Sequence, residues 1–203
     1  MRMIYGTGNP AKLQHMRDML APLPVEIAGI KEVLAEIPNI DESGNDPLEN
    51  ATLKATAYYE MLKVLVFSCD SGLYIEGLDA ARQPGVHVRR VDGLTLDDEE
   101  AIAYYAALAK ECGGFCRARY RNAICLMVDP QHIYTSMDDD LSGEAFLLSA
   151  TPHPKRRAGF PLDSLSVEIA SGKYYYDVQS TLGRTMDNGF LRFFGEVLRE
   201  IRK

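Results

Sequence analysis

The run Val64-Leu65-Val66-Phe67-Ser68 is apolar to its last residue, shows no polar alternation, and passes directly into Cys69-Asp70-Ser71-Gly72. An unalternating apolar run of this length predicts a strand buried on both faces, and such a strand requires a sheet with helices packed on either side. The start of the chain fits that demand. Arg2 to Tyr5 reads as a strand, Gly6-Thr7-Gly8 as a tight turn, and Asn9-Pro10 as the N-cap and first position of a helix whose apolar face is Leu13, Met16 and Leu20. A second strand is expected around Val25 to Ile30. After the acidic stretch Asp41-Glu42-Ser43-Gly44-Asn45, Asp46 and Pro47 open another helix, with Glu49 placed to complete a capping box and Leu48, Ala51, Ala55, Tyr59 and Leu62 at helical spacing.

Further on, the pattern predicts a helix opening at Thr95 and stopping at Gly113. Strands at roughly 115–128 and 131–138 follow, joined by an Asp129-Pro130 turn. A proline-rich loop spans Thr151 to Pro161, and a last helix carries Phe190, Phe194, Val197 and Ile201. With 203 residues, 46% of them hydrophobic, the chain suits one domain, 1–203, with two lobes. No apolar run approaches the roughly 20 residues that span a bilayer, and the first residues lack the pattern of a secretory signal, so the cytoplasm is the expected location, without a membrane partner.

Cysteines 69, 112, 116 and 125 form no CxxC pair and the four histidines are scattered, which argues against zinc and for reduced thiols. A net charge of −7 argues against binding nucleic acid, because that affinity rests on clustered Lys and Arg. An acidic chain that handles polyphosphate needs a divalent metal.

Three segments carry chemistry. Thr7-Gly8-Asn9-Pro10-Ala11-Lys12 sets free backbone N–H groups at a helix N-terminus, a natural phosphate site, and Lys12 opposes the helix dipole unless an anion lies beside it. Gly6, Gly8 and Ala11 also fit a dinucleotide fingerprint, but no acidic residue is clearly placed at the end of the next strand. In the second segment Glu42 suits magnesium and Lys54 a phosphate or plain solvent, whereas the capping box alone accounts for Glu49. In the third, Asp70 projects from a rigid strand end where it can hold a metal or take a proton from water. Cys69 reads as a small buried hydrophobe rather than a nucleophile, since no histidine is tied to it.

Taken in order, Thr7-Gly8-Asn9-x-x-Lys12, Glu42-Ser43-Gly44, Glu49-Asn50-Ala51 with Lys54, Asp70-Ser71-Gly72-Leu73, Pro84-Gly85-Val86 with Arg90, and Arg119-Tyr120 resemble the inosine and xanthosine triphosphate pyrophosphatase family. The resemblance implies an α/β fold with a mixed, twisted sheet flanked by helices, two lobes with a nucleotide cleft between them, and a homodimer. It implies hydrolysis of non-standard purine nucleoside triphosphates (ITP, dITP, XTP) to monophosphate and pyrophosphate, with water attacking the α-phosphorus and Mg2+, or Mn2+, at the metal site. By the same resemblance Asp70 is the proton acceptor and a metal ligand, and Glu42 is the second metal carboxylate. Thr7, Gly8, Asn9, Lys12, Lys54 and Ser71 hold the triphosphate, and Phe160, Asp163 and Arg184 belong to the base site.

The family's Gly-Phe-Gly-Tyr-Asp loop stands here as Gly159-Phe160-Pro161-Leu162-Asp163, and its Ser-His-Arg is reduced to Gly183-Arg184. Cys69 occupies a position where the family usually carries an acid. Those departures leave two other readings open: a pyrophosphatase for other modified or pyrimidine nucleotides, and a nucleotide-binding protein that has lost catalysis.

Overall fold

A turn after β1 (Arg2–Tyr5) leads into α1 (Pro10–Leu20) in the computed structural model, which describes residues 1–91, 93–178 and 184–201. Asn9 caps α1 as its position predicts: its Oδ1 accepts from the N–H groups of Ala11 and Lys12, at 2.9 and 3.3 Å. The buried face of α1 is Met16, Met19 and Leu20, with Leu13 only half-buried. β2 (Glu26–Gly29) follows, and then α2 (Pro47–Leu62), whose cap Asp46 accepts from the N–H groups of Leu48 and Glu49. The capping box expected there is displaced by one residue, since Glu49 Oε2 accepts from the N–H of Asn45 at 2.7 Å. The reason is the preceding loop, which folds over the first turn and donates the Gly44 N–H to Asn50 Oδ1 at 2.9 Å.

β3 corrects the sequence reading most usefully. It runs Val66–Ile75 and carries Cys69-Asp70-Ser71-Gly72 along its length rather than at its end. The side-chain pattern turns polar at Cys69 and the pairing with β1 ends at Phe67, but β3 continues beside β6 on its other edge. β4 (Arg90–Val91) and β5 (Leu94–Thr95) form a small antiparallel ribbon that absorbs Thr95, so α3 (Asp98–Glu111) starts two residues later, from Asp97. There the capping box is complete, with Asp97 and Glu100 bonding each other's backbone N–H at 2.8 Å.

α3 stops where Gly113 predicts: Gly113 and Gly114 adopt φ of 89° and 112°, and their N–H groups return to the carbonyls of Lys110 and Ala109. β6 (Phe115–Asp129) and β7 (His132–Ser136) form the predicted hairpin, whose turn Asp129 closes by accepting from the N–H groups of Gln131 and His132. β8 (Phe146–Ser149) and β9 (Ser166–Val167) were not foreseen, and α4 (Arg184–Ile201) is the last helix.

The chain divides into two compact units through which β3 and β6 both run. The first comprises the described residues of Met1–Ser71, Arg121–Gly143 and Gly183–Lys203. In it β1 pairs in parallel with β2 and β3, and β6 pairs antiparallel with β7, the mixed sheet that was expected. One face of this sheet presents Met3, Tyr5, Phe67, Ile124 and Leu126 to α1 and to Phe190, Phe193, Phe194 and Val197 of α4. Phe67 is stacked on Tyr5 at 4.6 Å between ring centroids and meets Phe194 edge-on at 5.0 Å. The other face packs Ile4, Ala28, Val66 and Met127 against Tyr58 and Tyr59 of α2. Coverage on both faces is what the apolar run of β3 demanded, and each buried Phe or Met contributes about 1.5–3 kcal/mol.

The second unit is Gly72–Tyr120 with Glu144–Leu182, in its described residues. There β8 pairs antiparallel with both β6 and β9, and α3 sets Ile102, Tyr105 and Leu108 against Leu73, Ile75, Phe146 and Leu148. Among the described residues no helix is long and apolar enough to cross a membrane.

Candidate active site

The turn between β1 and α1 is held so closely that only glycine fits at Gly6: a Cβ there would lie 2.3 Å from Ser68 Oγ and 2.6 Å from the Tyr58 ring. This contact places the start of α1 beside β3 and α2. The Thr7 hydroxyl accepts from the Asn9 N–H at 3.2 Å, while Gly8 and Lys12 are exposed. Together with Glu42, Lys54, Tyr58, Cys69, Asp70 and the loop Ile37–Ile40, these residues line a cleft of about 350 Å³ within the first unit.

At the base of the cleft the Lys54 Nζ lies 3.0 Å from Glu42 Oε2 and 3.0 Å from Asp70 Oδ1. The Lys54 side chain is 12% exposed and that of Asp70 14%, whereas Glu42 is 40% exposed. Burial opposes the ammonium charge, but the two carboxylates outweigh it and raise the Lys54 pKa above its ordinary value. Lys54 is therefore charged, and the trio carries two negative charges around one positive.

Two carboxylates that already converge on one cation, in a partly open cleft with hard oxygen donors, suit magnesium. That ion takes one or two carboxylates and completes its shell with water and substrate phosphates. Glu42 and Asp70 are the residues that fit it.

Seven of the residues singled out from the sequence therefore meet here: Thr7, Gly8, Asn9, Lys12, Glu42, Lys54 and Asp70. Ser71 does not line the cleft; its hydroxyl donates to Asn122 Oδ1 at 2.7 Å, and Asn122 in turn donates to the Leu141 carbonyl at 2.8 Å.

Phe160 and Asp163 lie in the second unit, where the 3-10 turn Pro161–Ser164 positions them. The Arg157 guanidinium covers the Phe160 ring at 4.1 Å from its centroid and lies 3.5 Å from Asp163 Oδ2. Burial raises the Asp163 pKa and Arg157 works against that shift. Leu162, where the family loop has its second aromatic, is buried in the core of this unit. Arg184 opens α4, and its side chain lies outside the described residues.

Burial pushes the Cys69 thiol up to about 12, although a hydrogen bond from the Tyr5 hydroxyl and the charges of Lys12 and Lys54 pull the other way. Cys69 is half-buried rather than buried: it packs against the core of the first unit and also lines the cleft. Tyr58 was missed by sequence reasoning, although its spacing from Lys54 by one helical turn puts it on the same face of α2. Asn50, in the first turn of α2, acts on the loop that carries Glu42 by accepting the Gly44 N–H.

The Ham1 family model matches residues 3–165 of the chain. A dITP/XTP pyrophosphatase of Rhodopseudomonas palustris is 31% identical over 183 residues, which are 88% of this chain and 82% of that protein. Another, from Bradyrhizobium diazoefficiens, is 32% identical over 136 residues, and that match spans 65% of this chain and 63% of the relative's length. Among solved structures, a HAM1 protein of Coxiella burnetii superposes with a TM-score of 0.75 at 20% identity, covering 98% of this chain and 99% of that one. The Staphylococcus aureus Ham1 protein gives 0.72 at 20% identity, over 97% and 99%. These two likenesses establish the fold.

Proposed function

The chain belongs to the Ham1 family, and from that premise we propose that it is a hydrolase cleaving non-standard purine nucleoside triphosphates to monophosphate and pyrophosphate. The observation that carries the reading is the Lys54 ammonium held between Glu42 and Asp70, in the cleft that Thr7, Gly8, Asn9 and Lys12 also line. Polyphosphate oxygens meet the exposed Lys12 in the first turn of α1, a cation that a helix N-terminus tolerates best when an anion is bound. Glu42 and Asp70 hold magnesium or manganese, which supplies charge neutralisation to the triphosphate when bound. Lys54 keeps both carboxylates in place and adds a fixed positive charge next to the reacting phosphates. Asp70 accepts a proton from the attacking water. The water oxygen bonds to the α-phosphorus, the bridging P–O bond to the β-phosphate breaks, and pyrophosphate leaves with the electron pair.

Phe160 stacks on the base and Asp163 meets its edge, for which Arg157 must give up one or both of its present contacts. A purine that mismatches a buried polar edge costs roughly 1–3 kcal/mol. With Pro161 and Leu162 in the loop, the preference for a 6-oxo purine falls at the lower end of that range. The test is kcat/KM for ITP, XTP, dATP, ATP and UTP on wild type, Phe160→Ala and Asp163→Ala. The expected result is ITP and XTP ahead of ATP in the wild type. Phe160→Ala should weaken all purines alike, and Asp163→Ala should narrow the gap between ITP and ATP. A wild type that prefers ATP or UTP contradicts the base assignment. The reading includes a homodimer, and a monomer in sedimentation at working concentration removes that part alone.

A further inference from the structure

At the end of α3 two thiols lie near one another in the second unit. Cys112 is exposed and Cys116 is buried in the core of the second unit, yet the two side chains are near enough to interact. Both residues also reach one carbonyl, that of Leu108, which accepts from the Cys112 N–H at 3.2 Å and from the Cys116 thiol at 3.7 Å. The turn that brings them together is Gly113-Gly114, held in the left-handed region at φ of 89° and 112°, where even an added Cβ would meet nothing within 4 Å. The other cysteines are arranged differently: Cys69 is bonded to Tyr5 and Cys125 to Thr52, with no second thiol beside either.

We propose that Cys112 and Cys116 form a reversible redox couple, closing to an intramolecular disulfide when the protein meets a low-molecular-weight disulfide such as oxidised glutathione. The exposed Cys112 thiolate attacks one sulfur of the small disulfide, whose S–S bond breaks and releases one thiol. Cys116 then loses its proton and attacks the Cys112 sulfur, and the mixed S–S bond breaks to release the second thiol. Two protein thiols are oxidised, one small disulfide is reduced to two thiols, and the protons pass to solvent and the leaving thiolates.

Three features favour closure over a lasting mixed disulfide. The resolving thiol and the attacking residue already meet at one carbonyl, that of Leu108. The turn between them is glycine and unobstructed, so it can adjust as the sulfurs approach bonding distance. The Leu108 carbonyl keeps the Cys112 N–H after the Cys116 thiol is spent, so no buried acceptor is orphaned. Burial pushes the Cys116 thiol up to about 12, which slows the second step without changing its direction. The bond would tie the last turn of α3 to the first residues of β6.

The experiment exposes the folded protein to oxidised glutathione, then quenches with acid and reads intact mass and a non-reducing peptide map. The expected product is two hydrogens lighter than the starting protein, carries a Cys112–Cys116 link, and reverts with dithiothreitol. Cys116→Ala, which keeps the exposed thiol, should stop at a glutathione adduct on Cys112, and Cys112→Ala should leave Cys116 unmodified on the same timescale. Wild type that accumulates the same stable adduct as Cys116→Ala overturns the proposal. So does wild type that stays fully reduced, whether or not Cys116→Ala reacts.

Discussion

Lys54 is the residue on which the site turns, because its single positive charge lies between two carboxylates that repel each other without it. Its folded-state pKa is raised, with Asp70 and Glu42 prevailing over burial. The stability that this linkage contributes is therefore complete below the ordinary value of 10.5 and is lost as pH climbs through the folded value. Lys54→Met should be less stable than wild type at neutral pH and should lack that alkaline loss, so chemical melts from pH 8 upward should converge. A constant gap across the range would show that the ammonium is not coupled to the carboxylates. Glu42, Lys54 and Asp70 were legible in the sequence because residue type and helix position already suggested phosphate and metal chemistry. Their mutual contact was not, since it depends on how a loop, a helix and a strand meet. Ser71 was misplaced for a related reason: its direction follows from β3 continuing past Ser68, and pairing rather than composition decides that.

At the scale of elements, helix starts and stops were the most readable features, since caps are local chemistry: Asn9, Asp46 and Gly113 act where their types predict. Asp97 was passed over in favour of Thr95, which β5 takes up. β8 and β9 escaped notice because strands of four and two residues leave too little pattern to detect. α4 shows a constraint of packing rather than propensity. It lies against the 3-10 turn Asp139–Leu141 through Gly189, where a Cβ would stand 2.2 Å from the Asp140 carbonyl oxygen. Alanine is the better helix former by about 1 kcal/mol, but overpacking against backbone costs roughly 1–3 kcal/mol. Gly189→Ala should therefore lower stability in a denaturant titration. An increase would mean that the helix shifts freely and the close approach is incidental.

Across the whole molecule, apolar runs and helix signals point to a sheet covered by helices, whereas its mixed character is implied by the family resemblance; where one unit ends and the next begins is not legible, because β3 and β6 are each one continuous strand in both. The cleft residues assemble within the first unit, where Lys54 pairs with both Glu42 and Asp70 without a metal. Excess EDTA should thus abolish turnover while leaving the melting temperature within about a degree, since a metal held by Glu42 and Asp70 would supply charge to the substrate and would not be needed for folding. Full activity in EDTA would remove metal from the mechanism, and a large fall in melting temperature would give it a structural role instead. The central claim, that water activated at Asp70 attacks the α-phosphorus, is tested most directly by hydrolysing dITP or XTP in water labelled with heavy oxygen. Mass spectra of both products are then compared for wild type and Asp70→Asn. The account predicts label only in the monophosphate, and a rate at least about a hundredfold lower for the folded Asp70→Asn protein, the usual scale for a positioned acid–base group. Label in the pyrophosphate, release of orthophosphate and diphosphate, or an Asp70→Asn rate near that of wild type would contradict it.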